Sequence, residues 1–330
     1  MPNHRILFIS KGETKSPTRY RALDYFSRFE QAGWTPIHRD AAKSLGGRRS
    51  LLKDVANADV VVILRKTFSV PYRYLLRKYA KHLVFDLDDA IFLNDNGTPS
   101  GQRMRNFRGL LGRCDLAWAG NQYLADACLA SCPDVITAPT SIDPAIYDVT
   151  PKKPDDTLDL VWIGSSSTRK YLETLVPILE RAASDFSNLR LKIIADFDLP
   201  SPRLKTISIP WTRETEATEI ASSHVGLAPM SDDPWTRGKC GLKVLQYMAA
   251  RLPVIASASG VHHDILEGEQ IGYLAQSPDQ WIDAIKTLHA DSARREKMGN
   301  AGRKRLVANY SLDSTFAILL ESLNRLVSDS

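Results

Sequence analysis

The sequence predicts an α/β protein of two units, each built on a parallel sheet. Short, almost continuously apolar runs such as RILFIS (5–10), DVVVIL (59–64) and LDLVWI (158–163) suit strands covered on both faces. Amphipathic segments at helical spacing separate these runs, which is the alternation of a parallel sheet. A length of 330 residues matches two domains of ordinary size, and 43% hydrophobic with 25% charged residues matches a globular composition.

In the first half, strands are expected at 5–10, 35–39, 59–64, 82–85, 116–119 and 135–138, and helices at 19–33, 70–81, 103–113 and 121–130. The loop after the first strand lies at its carboxyl end, where open parallel sheets place ligands. Lys11, Gly12, Lys15, Arg19 and Arg21 are therefore candidates for an acceptor or phosphate contact. Gly12 alone is no dinucleotide fingerprint, because the G-x-G-x-x-G spacing is missing. The strand 82–85 delivers Asp86, Asp88 and Asp89 into a loop. Three carboxylates so close repel one another unless cations or hydrogen bonds offset them. They read either as catalytic acids or as a salt-bridge cluster with Arg65, Arg103 or Arg105. Cys128 and Cys132 stand one helical turn apart, and without a nearby His or second Cys pair they read as buried thiols.

In the second half, strands are expected at 158–163, 191–195, 205–210, 220–230, 254–256 and 272–274. Gly164-Ser165-Ser166-Ser167-Thr168-Arg169-Lys170 follows the first of them and precedes a helix, an arrangement that cradles phosphate. Trp211, between strand and helix, suits either the wall of a base pocket or an ordinary packed aromatic. The most informative stretch is DPWTRGKCGLKVLQYMAARLPVIASASGV (233–261). It reads as loop, amphipathic helix, short loop and buried strand, with Lys239, Lys243, Gly238 and Gly241 around the helix start. A helix N-terminus has unsatisfied donors and partial positive charge, so an anion is expected there. Helices at 278–289, 292–307 and 312–327 complete the chain.

KCGLKVLQYMAARLPVIAS, followed by Gly260, resembles the donor-binding segment of the group-1 (family 4) retaining glycosyltransferases. That resemblance implies a GT-B fold: two Rossmann-like domains with parallel sheets facing each other across a cleft. It implies an N-terminal acceptor-side domain over 1–150, a nucleotide-sugar donor domain over 151–310, and a C-terminal helix, 311–330, crossing back. Gly164, Ser165, Arg169, Lys170, Lys239 and Lys243 would then hold the donor diphosphate. Trp211, Gly238, Cys240, Gly241, Leu242 and Gln246 would hold sugar and nucleoside, and Lys11, Gly12, Arg19 and Arg21 would serve the acceptor. Both carboxylates of the family's usual Glu pair are absent, with Gly238 and Gln246 in their places. Arg251 stands where the family usually has Gly. Where relatives end a first-domain strand in a His facing the sugar, this chain has an aspartate, so Asp86, Asp88 and Asp89 are the catalytic candidates. Asp86-Leu87-Asp88 has the spacing of a GT-A metal motif, but the resemblance is to the metal-independent fold.

The activity so implied is transfer of a sugar from a UDP- or GDP-linked donor to a cell-surface glycan or lipid-linked acceptor. No cofactor or metal is expected, the nucleotide sugar being a co-substrate. A fold-retaining protein that binds nucleotide sugar without chemistry is the alternative. Residues 1–150 hold 21 Lys and Arg against 15 Asp and Glu. That surplus suggests either a polyanionic partner (an anionic membrane surface met peripherally, a phosphorylated lipid acceptor or nucleic acid) or a merely solvated basic surface. It lacks the interleaved aromatics of a nucleic-acid platform. The expected location is cytoplasmic, on the inner face of a membrane.

Overall fold

The computed structural model of the protein describes residues 4–42, 44–266 and 270–328. It divides into two compact units: Met1–Ser141 with Asp233–Cys240 and Leu312–Ser330, and Ile142–Asp232 with Gly241–Ser311. The chain thus leaves the second unit for eight residues, at 233–240, inside the stretch expected to bind donor.

The first unit carries β1 (His4–Ser10), β2 (Trp34–Asp40), β3 (Val60–Leu64), β4 (His82–Leu87), β5 (Leu116–Ala119) and β6 (Val135–Thr137). They form one parallel sheet in the order β2-β1-β3-β4-β5-β6. Leu7, Ile9, Val61, Ile63, Leu83 and Phe85 pack on one face and Ile6, Phe8, Val60, Val62 and Val84 on the other. Burial on both sides is why these strands read as unbroken apolar runs rather than alternating ones. The helix Leu312–Ser328 belongs to this unit. Its residues Leu312, Leu319 and Leu323 join the second of those faces, and Ser322 Oγ accepts from Trp118 Nε1 at 3.1 Å.

The second unit carries β7 (Leu158–Ile163), β8 (Leu189–Ala195), β9 (Lys205–Pro210), β10 (Val225–Ala228), β11 (Val254–Ser257) and β12 (Gly272–Ala275). This sheet is parallel as well, in the order β12-β11-β10-β7-β8-β9. In both sheets the order reverses beside the first strand, the topological switch point of doubly wound folds.

Three expectations need correction. The segment 19–33 is not one helix: Ser16–Arg21 and Phe26–Gln31 are separate, broken at Ala22 (φ −139, ψ −67). Buried Tyr20, Tyr25 and Phe29 keep an apolar pattern across that break. The run 220–230 is not all strand, because Ile220 and Ala221 end the helix Glu216–Ala221 before β10 begins. Residues Leu45–Ala56 form a helix that the sequence reading passed over. Gly46 and Gly47 weaken its propensity, while Ser44 caps it by accepting from Gly47 N–H.

Candidate functional site

In the second unit, the helix Leu242–Ala249 starts at Gly241, whose backbone is left-handed (φ 70). A Cβ there would overlap Ile265, so both conformation and space demand glycine. Lys243, in the first turn, holds its ammonium 5.2 Å from the centre of the Trp162 ring. The same indole lies against Gly164, where any Cβ would strike it. Gly164, Trp162 and Lys243 are therefore neighbours, which joins two stretches some eighty residues apart in the sequence.

The loop after Gly164 is organised by a carboxylate of the protein itself. Asp196, at the end of β8, accepts from Ser166 N–H at 2.7 Å and from Ser166 Oγ at 2.8 Å. The Ser166 hydroxyl holds its carboxyl below the usual carboxylate range. Ser165 and Thr168 form a capping box at the start of this turn. Arg169 pairs with Glu173 at 2.8 Å, and Lys170 lies over the Tyr171 ring. One amide of the expected phosphate cradle is thus already capped, and Arg169 is engaged along its own helix.

Gln246 is 3% exposed and donates from Nε2 to the Tyr147 hydroxyl at 3.1 Å. Tyr147 in turn donates to Glu216 Oε1 at 2.6 Å, and Trp211 Nε1 donates to Glu216 Oε2 at 2.6 Å. Glu216 is buried, whereas the Trp211 ring is 47% exposed. Leu242 is half-buried one turn before Gln246. Sequence reasoning found Trp211 and Gln246 but not the two residues that link them. A Glu placed five residues after Trp211, at a helix start, was the available signal.

The remaining donor-segment residues, Gly238, Lys239 and Cys240, lie in the first unit. Asn121 Nδ2 holds the carbonyls of Arg237 (3.1 Å) and Lys239 (2.9 Å). Gly238 lies so close to Ala90 that a Cβ would come within 2.6 Å of it. The Cys240 thiol donates to the Asp88 carbonyl at 3.4 Å, and burial raises its pKa to about 12, so it is unreactive. Lys239, expected at the diphosphate, instead places Nζ 3.0 and 3.1 Å from the two Asp89 oxygens.

The three acids separate by depth. β4 runs two residues further than expected, so Asp86 is a strand residue, 1% exposed, and not a loop residue. It accepts from Arg21 Nε at 3.1 Å and Nη2 at 2.6 Å, while Arg21 Nη1 donates to the Ala138 carbonyl at 2.8 Å. Burial works against the charge of Arg21, but the attraction of Asp86 outweighs it and raises the guanidinium pKa. This pair is a structural device of the core: it removes Asp86 from the catalytic candidates and Arg21 from the acceptor candidates. Arg65 lies 3.2 Å from Asp88 and also pairs with Asp89. Burial pushes the Asp89 carboxyl up, against the pull of Lys239 and Arg65. Arg103, offered as a partner for these acids, pairs with Asp95 instead. Arg65 itself has a left-handed backbone (φ 50), which costs an L-residue about 1–2 kcal/mol. Such strain persists only where surrounding contacts over-determine the residue, and it clusters at functional sites.

At the end of β1, Gly12 has φ 150, and Thr18 Oγ1 donates to its carbonyl at 2.7 Å. Lys11 is exposed beside it. Partial desolvation of its ammonium by neighbouring groups and the nearby charges of Arg65 and Lys66 lower its pKa from the ordinary lysine value. Arg19 lies 3.5 Å from Asp24 and over the Tyr20 ring. Cys114, Cys128 and Cys132 are buried, and burial pushes the last two up to about 12 and about 11. Among the described residues, no helix is long and apolar enough to cross a membrane.

Residues 157–291 match the family model "Glycosyl transferases group 1". No curated protein matches the chain. Solved structures match over nearly its whole length at low identity. A glycosyltransferase from Rickettsia africae is 12% identical, with a TM-score of 0.77 and 100% of both chains covered. Sucrose-phosphate synthase from Thermosynechococcus elongatus is 15% identical, with a TM-score of 0.73 and coverage of 99% of this chain and 100% of that one. HepE of Anabaena, solved in complex with UDP, is 14% identical, with a TM-score of 0.73 and coverage of 97% and 100%. The chain resembles the group 1 enzymes and has the GT-B fold.

Proposed function

Taking residues 157–291 as a group 1 glycosyl transferase domain, we propose that the chain transfers a sugar, with retention, from a UDP- or GDP-linked donor to a cell-surface glycan or lipid-linked acceptor. The observation that carries this reading is the start of the helix Leu242–Ala249. Its first turn bears Lys243, its Gly241 is left-handed, and Gly164 lies beside the same Trp162 ring. Helix dipole, backbone donors and a fixed ammonium together suit a diphosphate leaving group. Front-face substitution, in which the leaving phosphate helps deprotonate the acceptor, needs no protein nucleophile. Asp88 and Asp89 are the first-unit acids assigned to the chemistry, and the cationic group of Lys11, Arg65 and Lys66 is assigned to an anionic acceptor.

A donor-hydrolysis assay across UDP- and GDP-sugars tests the reading, with turnover expected for one base. Turnover is also expected to survive EDTA, since fixed cations serve the diphosphate. Loss of activity that only manganese restores would make Asp88 and Asp89 metal ligands instead. The loss of both carboxylates of the family pair, at Gly238 and Gln246, favours a second reading, a nucleotide-sugar-binding protein without chemistry. Tight UDP-sugar or GDP-sugar binding with no hydrolysis or transfer would establish that one.

The basic first unit is further assigned to peripheral contact with an anionic membrane, which goes with a cytoplasmic location on its inner face. The helix Val70–Tyr79 supports this. It carries no acidic residue, exposes Val70, Tyr74 (61%) and Tyr79, and has Arg77 and Lys78 in its last turn. Aromatic rings beside cations suit the headgroup boundary of an anionic bilayer.

A further inference from the structure

The polarity of the hydrogen-bond chain through Glu216 can be read without ambiguity. A carboxylate only accepts, and an indole N–H only donates. Glu216 therefore takes Trp211 Nε1–H on one oxygen and the Tyr147 hydroxyl proton on the other. Having given its proton away, Tyr147 can only accept from Gln246, which must turn its NH₂ toward it. The amide of Gln246 is locked, and its carbonyl oxygen is the group left over. No hydrogen bond to that oxygen is present among the described residues, and it is not one of the sealed, unsatisfied polar atoms, so although Gln246 is 3% exposed its oxygen is open to a donor from outside the chain. A fixed acceptor that is open to the outside is available to a ligand's hydroxyl donor.

Gln246 lies four residues after Leu242, on the same helix face and one turn from the end that carries Lys243. A diphosphate at that end would bring the hydroxyl-bearing groups attached to it within reach of position 246. We propose that Glu216 and Tyr147 are positioning residues: they fix the Gln246 amide so that it presents an acceptor, as a carboxylate would, to a hydroxyl of the bound nucleotide. The same carboxylate holds the edge of the Trp211 ring, so one buried charge orients both side chains. This inference rests on the donor reading above.

The test uses shape-preserving exchanges in the full chain, with UDP and GDP as probes in titration calorimetry. In Glu216→Gln the indole still needs an acceptor, so the new NH₂ faces Tyr147. The hydroxyl then donates to Gln246 and its amide turns over, presenting NH₂ where an acceptor is needed. The expected result is a folded protein whose nucleotide Kd rises about tenfold or more, the effect of one misdirected hydrogen bond. Adding Gln246→Glu should restore binding, since a carboxylate accepts from Tyr147 and presents a second acceptor. Tyr147→Phe, which frees the amide, should raise Kd without changing the response to EDTA. If Glu216→Gln lowers Tm but leaves Kd unchanged, or if the double variant binds no better than the single, the network is only structural and the proposal fails. If the unaltered protein binds neither UDP nor GDP, the donor reading fails, and this inference with it.

Discussion

Asp86, Asp88 and Asp89 come from one short run, but burial and partners give them different capacities. Removing the charge of Asp86 leaves Arg21 buried and unpaired, and breaking a buried pair costs about 3–5 kcal/mol. Asp86→Asn is therefore expected to lower Tm steeply, as thermal unfolding will show. Asp88→Asn should instead leave Tm and nucleotide Kd almost unchanged. Its effect belongs to turnover, with kcat and kcat/KM falling together by about a hundredfold, or ~2.7 kcal/mol. Steady-state kinetics at saturating donor distinguish the two, and a normal kcat in Asp88→Asn would remove it from the chemistry. The run HLVFDLDDAIF showed that acids gather at a strand end. It could not show that the strand continues through Leu87, because Asp86 is kept inside by Arg21, sixty-five residues away in the chain. The pairing of Lys239 with Asp89 was hidden for the same reason, with 150 residues between the partners.

Helix ends were more legible than helix interiors. In the sequence Arg251-Leu252-Pro253 marks the end of Leu242–Ala249, because Pro disfavours the α conformation of its predecessor, and the structure shows how that end is built. Arg251 N–H donates to the Met248 carbonyl at 3.1 Å and Leu252 N–H to the Tyr247 carbonyl at 2.9 Å, the pattern of a Schellman cap. Its C′ residue must be left-handed, and Arg251 is (φ 56). Glycine adopts that conformation without the penalty an L side chain meets. Arg251→Gly removes about 1–2 kcal/mol of strain. It also loses a pair with Asp148 at 2.9 Å whose partners are both largely exposed, worth at most about 1 kcal/mol. The net expectation is a Tm higher by about 2 °C by calorimetry. A lower Tm would mean that the ion pair outweighs the strain. The strands of both sheets were legible because burial on two faces leaves an apolar run. The eight residues 233–240 were not, since Asn121, Ala90 and Asp89 hold them in a unit different from that of their chain neighbours.

For the whole molecule, two buried histidines set the response to acid. Burial lowers the pKa of His224 and of His262 to about 4, from an ordinary value of 6.5. His224 Nδ1 accepts from Asp159 N–H at 3.0 Å, a bond that protonation destroys. The unfolded chain takes up these protons below about pH 6.5 and the folded one only near pH 4. Their contribution is therefore complete above pH 6.5 and lost as pH falls toward 4, about 3 kcal/mol for each residue at most. Stability should fall steadily from pH 7 to pH 4.5, and NMR titration should find both imidazoles neutral at pH 5.5. Ordinary titration near 6.5 would contradict their burial. The charge asymmetry acts at the same scale. Vesicles containing anionic lipid should sediment the protein and neutral ones should not, with Tyr74→Ala and Lys78→Ala weakening the effect and added salt reducing it. Equal recovery with both vesicle types would end the membrane assignment.

The claim on which the account depends is that the second unit holds a nucleoside diphosphate at the start of the helix Leu242–Ala249. Titration calorimetry of UDP and GDP into the unaltered protein and into Lys243→Ala tests it most directly. One of the two nucleotides should bind, and the folded variant should bind it about tenfold to a hundredfold more weakly, as expected for loss of one charge-assisted contact of roughly 1.5–3 kcal/mol. Failure of the unaltered protein to bind either nucleotide, or equal affinity in the variant, would contradict it.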